Sequence, residues 1–303
     1  MEKVTRRKAK LRLALTGVSG AGKTLSALYI AYGMTDDWDK IAVIDTEHER
    51  ARFYADREDL GTGSFYYEPF SPPYSPDRYK QLVSEAAKTV GTDGVVIIDS
   101  LSHAWKNEGG VLDIQSRIAE QRGKNSYTAW NEAGKVQNDL INTILAVDCH
   151  TIVTMRSKMD YVMQENAQGK MAPVKVGLAP VQREDTEYEF DIVLDIARNH
   201  IATASKDTTF LDRFGQIITP ELGKQLRNWL DEGTEPAKCM MCKKLISSQN
   251  GKTTAQIIEA SVKNLGQMLC YGCFAREYRS NKNSAVGKRV YLVPDECRQN
   301  ENT

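Results

Sequence analysis

Gly17-Val18-Ser19-Gly20-Ala21-Gly22-Lys23-Thr24 decides the fold. The stretch satisfies the P-loop pattern G-x-x-x-x-G-K-[ST] at every fixed position. Residues 11–16 before it read as a short buried strand, and residues 25–32 after it as a helix, with Gly33 placed to end it. The physics of the pattern is specific. Gly17, Gly20 and Gly22 allow a tight backbone turn whose N–H groups converge on phosphate oxygens. The helix starting at Lys23 adds the positive end of its dipole. The Lys23 ammonium reaches the outer phosphates, and the Thr24 hydroxyl is a ligand for Mg²⁺.

Length and composition set the frame. The 303 residues suffice for a full core and suit one or two domains. No apolar run is long enough to span a membrane. The basic start, residues 1–10, has no apolar stretch behind it and does not read as a secretory signal, so a cytoplasmic protein is expected. The formal net charge is zero but unevenly spread: residues 1–12 hold six Lys/Arg against one acid, and residues 234–303 hold eleven against six. Basic ends on an acidic body fit contact with a polyanion through the ends, and equally fit solvated tails.

Residues 40–45 read as a second buried strand that runs into Thr46-Glu47-His48. A carboxylate just past the carboxyl end of a strand stands where open α/β sheets bind ligands. Glu47 is therefore a candidate for polarising the attacking water, while Asp45 or Glu47 could instead cap the helix beginning near Glu49. Residues 65–70 read as a strand, followed by a Pro-rich loop with Tyr74 and Tyr79, either packing groups or a base-stacking surface. Residues 77–90 suit a helix. Val95-Val96-Ile97-Ile98-Asp99 is a continuous apolar run ending in an acid, which reads as a central parallel strand presenting a carboxylate for Mg²⁺.

Residues 111–122 and 126–146 look helical, the second with Trp130, Ala133, Val136, Leu140, Ile144 and Val147 on its core face. Residues 150–155 are the next strand, with Arg156 and Lys158 leaving its tip. Residues 159–189 show no convincing period and carry Lys170, Lys175 and Arg183; a long basic loop suits a phosphate backbone. Residues 190–197 and 200–205 look like a strand pair, and Thr219-Pro220 starts a final helix. A linker at 233–238 separates a body, 11–232, from a tail, 239–303, with residues 1–10 as a basic arm.

The tail has the pattern C-x₂-C-x₂₇-C-x₂-C in Cys239, Cys242, Cys270 and Cys273, which suits tetrahedral Zn²⁺ in a reducing compartment. So small a segment depends on its metal for cohesion. Tyr271, Phe274, Arg276, Lys288 and Arg289 mix aromatic and basic character, as nucleic-acid-binding modules do. Cys149 reads as a small core residue.

Taken together, the P-loop, the Asp45-Thr46-Glu47-His48 run and the strand ending in Asp99 resemble the RecA-like ATPase core. Residues 11–215 are similar to the compact RecA-like ATPases of bacteriophages that act in single-strand annealing and recombination. The runs Ile98-Asp99-Ser100-Leu101-Ser102-His103-Ala104-Trp105, Arg156-Ser157-Lys158 and Gly177-Leu178-Ala179-Pro180-Val181-Gln182-Arg183 carry this closer likeness. The resemblance implies an α/β fold with a mostly parallel central sheet flanked by helices, and a small zinc module behind it. It implies Glu47 as catalytic base and Lys206 as a lysine reaching a neighbouring subunit's nucleotide. It implies a DNA-binding loop at 157–189, with Arg156, Lys158, Lys170, Lys175 and Arg183 as contacts. RecA places a glutamine-containing sensor after the strand that here ends Met155-Arg156. The expected activity is hydrolysis of ATP with Mg²⁺, stimulated by single-stranded DNA, in a self-associating ring or filament in a bacterial host's cytoplasm. Two other classes stay open. One is a nucleotide-gated loader or adaptor recruiting a phage or host replication or recombination protein through the zinc tail; the other is a helicase-type motor.

Overall fold

In the computed structural model, which describes residues 5–121, 123–165 and 171–283, the apolar runs become the strands of one sheet. Five strands form its parallel heart: β1 (Arg12–Gly17), β2 (Ile41–Asp45), β3 (Tyr66–Pro69), β4 (Val95–Asp99) and the first part of β5 (His150–Glu165). β6 (Met171–Pro180) pairs with the rest of β5. β7 (Ile192–Ile196) lies parallel to β1, while β8 (Ile201–Asp207) and β9 (Gly215–Ile217) continue antiparallel. The order across the sheet is β3-β2-β4-β5-β1-β7-β8-β9.

Strand alternation explains why both faces are covered. Leu13, Leu15, Ile41, Val43, Val95, Ile97, Ile192 and Leu194 face one core. That core is shared with α1 (Lys23–Thr35) and α6 (Pro220–Asp231). Ala14, Ala42, Ile44, Val96, Ile98, Val153 and Val193 face the other, with α2 (Pro76–Val90) and α5 (Ser126–Ala146). The result is a three-layer sandwich with β1 held between β5 and β7. The carboxyl ends of β1, β2, β4, β5 and β7 therefore open on the same edge. No described helix is long and apolar enough to cross a membrane.

Several local expectations change. Gly33 does not end α1. The helix runs on to Thr35 and is capped by left-handed Asp36, whose N–H donates to the Tyr32 carbonyl at 2.7 Å. Gly33 is instead a crossing point: a Cβ there would meet the Pro220 carbonyl oxygen at 1.8 Å and Gly223 Cα at 2.9 Å. Residues 159–165 and 171–180 are not an aperiodic loop, because β5 and β6 pair antiparallel from Ser157↔Pro180 to Glu165↔Met171. Pro173 and Pro180 hid this pairing, yet both are tolerated because, among the described residues, β6 pairs only with β5.

The helix expected over 111–122 is shorter, α4 (Val111–Ala119), and it follows the short α3 (Ser102–Lys106). On α5, Ala133, Leu140 and Ile144 are buried as expected, and Gln137 and Ile141 join them. Trp130 turns outward and stacks on Trp105, centroids 5.8 Å apart. Tyr74 and Tyr79 are buried packing groups.

The described residues form two compact units, Ala9–Leu230 and a second made of residues 5–8 with 231–283. Of the basic start, residues 5–8 group with the tail unit. Thr234 N–H donates to the Arg6 carbonyl, Lys8 N–H donates to the Thr234 carbonyl, both at 3.1 Å, and Arg6 ion-pairs with Glu232. The small core of this unit is Cys239, Ile246, Ile257, Leu269 and Cys273, under α7 (Thr254–Leu265) and α8 (Tyr271–Asn283).

The α1–α6 crossing gives a direct stability test. Gly33→Ala should lower the melting temperature, with a loss of ~1–3 kcal/mol from overpacking. An unchanged melting temperature would contradict the crossing.

Candidate nucleotide-binding and metal sites

β1 ends at Gly17 on the open edge, and α1 starts at Lys23, so residues 18–22 must turn the chain back within five positions. Positive φ values at Gly17 (156°), Gly20 (79°) and Gly22 (92°) make that turn. Lys23 is almost buried, and its ammonium donates to the Gly17 and Val18 carbonyls at 2.9 and 3.0 Å. Burial pushes its pKa below the usual lysine value, while Asp99 and Glu47 pull the other way. A buried ammonium whose partners here are carbonyls is suited to take up an anion.

Thr24, on the first turn of α1, donates through Oγ1 to Asp99 Oδ2 at 2.5 Å. Thr154 on β5 donates to Asp99 Oδ1 at 2.5 Å. Asp99 is buried, which raises its pKa against the opposing hydroxyl bonds. A cation near this carboxylate would restore its charged form. The oxygen donors of Thr24 and Asp99 converge in the pattern that Mg²⁺ takes beside phosphates, so the residues present fit that ion.

The two acids at the carboxyl end of β2, Asp45 and Glu47, take different roles. Asp45 organises the loop: its carboxylate accepts from Glu47 N–H at 2.6 Å, Ala51 N–H at 2.9 Å and the Tyr67 hydroxyl at 3.1 Å. That frees Glu47 for the site edge. Glu47 Oε1 accepts from Arg156 Nε at 2.6 Å and Ser100 Oγ at 3.0 Å, and Oε2 pairs with Arg156 Nη2. Burial pushes the Glu47 carboxyl up, but Arg156, His103 and Ser100 together hold it below its ordinary value. His103 is buried with Nδ1 2.7 Å from Thr46 Oγ1, and burial lowers its pKa. His48 is exposed.

Among the described residues expected to meet DNA, the side-chain partners differ. Arg156 stands at the root of the hairpin with its guanidinium on Glu47. Its N–H donates to Ser102 Oγ at 2.9 Å, and its carbonyl accepts from Val181 at 2.6 Å. Lys158 is exposed on β5. Arg183 donates to Asn138 Oδ1 of α5 at 3.0 Å. Lys175 lies on β6, while Lys170, Lys288 and Arg289 lie outside the described residues. Lys206, on β8, donates to the Tyr188 carbonyl of its own chain.

Sequence reasoning passed over Thr46, Ser100, Thr154 and His200, all of which touch the site's residues or the P-loop. A threonine at the tip of an apolar strand was a usable signal for Thr154; nothing local distinguished the others.

In the tail unit the four sulfurs of Cys239, Cys242, Cys270 and Cys273 all lie within 4.8 Å of one another. Cys242 and Cys270 Sγ are 3.8 Å apart. Four thiolates at about 2.3 Å from a tetrahedral Zn²⁺ sit about 3.8 Å apart, so the cluster fits that ion. Burial raises Cys239, but N–H groups of Cys242, Cys270 and Met241 outweigh it and bring the thiol down to about 6. Burial and the other three thiols push Cys273 up to about 12. A metal would take all four as thiolates. Purified protein should carry one zinc per chain by elemental analysis. Cys239→Ser should lose it and make residues 239–283 protease-sensitive, with Ala9–Leu230 still resistant. Full metal content in that variant would contradict the ligand set.

Cys149, in contrast, is buried beside the sheet with its thiol pushed up to about 11, in keeping with a core role.

No curated protein matches the sequence. The model of the AAA domain family matches residues 9–232, which covers the whole sandwich with its phosphate-binding turn. With that match over most of its length, the chain belongs to the AAA domain family, a nucleotide-hydrolysing P-loop ATPase in its general class.

Proposed function

We propose that the chain is a RecA-like recombination ATPase of the bacteriophage type, hydrolysing ATP to ADP and phosphate while bound to single-stranded DNA. The observation that carries the reading is the bridge made by Arg156. One side chain joins Glu47, at the edge of the site, to the root of the β5–β6 hairpin. A ligand on the hairpin and a nucleotide at the sheet edge then act on the same ion pair.

In this reading the loop N–H groups and Lys23 bind the triphosphate, and Thr24 and Asp99 hold Mg²⁺. The ion, when bound, neutralises charge on the outer phosphate oxygens. Glu47 takes a proton from the attacking water; Arg156 keeps the carboxylate ionised, the state a general base needs. Lys158, Lys170, Lys175 and Arg183 contact the DNA backbone, and Lys206 of one subunit completes a neighbour's site on assembly. The cysteine unit binds Zn²⁺ as a structural ion.

A second reading, a nucleotide-gated loader or adaptor, is favoured by the tail unit's exposed Met240, Met241, Leu245 and Val262, which suit a protein partner better than a polyanion.

Glu47→Gln should bind ATP normally and lose about 10²-fold or more in turnover. Wild-type turnover should rise with single-stranded DNA, and DNA affinity should fall steeply with salt. Retained turnover in Glu47→Gln removes the base assignment. Failure to bind single-stranded DNA in any nucleotide state removes the recombination reading and leaves the adaptor.

A further inference from the structure

The phosphate-binding loop is pressed from one side by the end of β7 and the turn after it. Gly17 is in register with Ile196, and a Cβ on Gly17 would meet the Ile196 carbonyl oxygen at 2.6 Å. The turn then carries His200 onto the loop. Its Nδ1 lies 3.0 Å from the Ala21 carbonyl oxygen, and a Cβ on Gly22 would meet the same Nδ1 at 3.0 Å. The turn is braced on itself: His200 N–H donates to the Ala197 carbonyl at 2.9 Å, and Ile201 N–H to Asn199 Oδ1 at 3.2 Å. His200 sits at φ 67°, a left-handed conformation in which histidine and asparagine are enriched among side-chain-bearing residues.

The chemistry of this contact is constrained. A carbonyl oxygen only accepts, so Nδ1 carries the proton in either charge state of the ring. In a trans peptide the C=O of Ala21 and the N–H of Gly22 point in opposite directions. Holding the Ala21 carbonyl on the imidazole therefore aims the Gly22 N–H away from His200. The Ala21 N–H is already spent inside the loop, on the Val18 carbonyl at 3.2 Å. The next N–H along the loop is that of Gly22, so the orientation of that one peptide matters to the site.

We propose that His200 is a positioning residue of the nucleotide site. It acts from outside the P-loop motif, fixing the Ala21–Gly22 peptide so that the Gly22 N–H faces bound phosphate. It touches no reacting atom, and its effect falls on nucleotide affinity more than on turnover. The inference rests on the P-loop binding nucleotide, and the test keeps the two apart.

Two variants separate the hydrogen bond from backbone strain. His200→Gly keeps the left-handed conformation and removes the donor; His200→Asn keeps both the conformation and a donor near Nδ1. Binding of a fluorescent ATP analogue with Mg²⁺ is measured for each full-length variant, alongside steady-state KM and kcat and a melting curve. His200→Gly should weaken binding and raise KM by about five- to tenfold, the loss of one hydrogen bond, with kcat within about twofold of wild type. His200→Asn should restore affinity to within about twofold of wild type. Wild-type affinity in His200→Gly overturns the proposal, as does failure of His200→Asn to restore it. Lys23→Ala is the reference for the underlying reading. If wild type and Lys23→Ala bind the analogue alike, the P-loop assignment itself falls, a result distinct from the failure of His200.

Discussion

The hydrogen bond from Thr24 to Asp99 joins the two elements on which the site is built. Thr24 opens the helix after the phosphate-binding turn, and Asp99 ends the central strand β4. β4 is not β1's neighbour; β5 lies between them, and its Thr154 supplies the second hydroxyl to the same carboxylate. Three strands must therefore keep their register for one buried acid to be satisfied. Burying a carboxylate is expensive without such partners, so the cost of losing register is concentrated at this point. The apolar runs of β1, β4 and β5 make that register the stable one, since a one-residue slip would exchange the two cores.

The rest of the edge follows from which acids are consumed by structure. Asp45 is spent on the backbone of residues 47–51 and on Tyr67. Asp99 is held by two threonines. Glu47 alone is left to a side chain that enters from the hairpin, Arg156. The division explains how three carboxylates can share one edge without mutual repulsion emptying it: each has a separate set of donors.

Much of this was legible in residues 11–155, because the signals there are local. Apolar runs that end in Asp45 and Asp99 mark parallel strands, glycines and a lysine mark the turn, and a helical period marks α5. The four cysteines announced their cluster by spacing alone. What sequence could not supply was pairing at long range. Arg156 and Glu47 are 109 positions apart, and Ala21 and His200 are 179 apart. No period links such residues. The β5–β6 hairpin was hidden for a different reason: proline usually argues against a strand, and it is tolerated where the strand lies at an edge. Gly33 was misread as a stop because a glycine needed for helix crossing looks, in sequence, like one needed for a helix end.

The central claim is that Thr24 and Asp99 form a single metal-binding junction beside bound phosphate. Electron spin resonance of Mn²⁺, titrated into full-length protein with ADP, reads that junction directly. The account predicts nucleotide-dependent Mn²⁺ binding that is lost in Thr24→Ala and in Asp99→Asn separately, with both variants still folded. Undiminished Mn²⁺ affinity in either variant would contradict it.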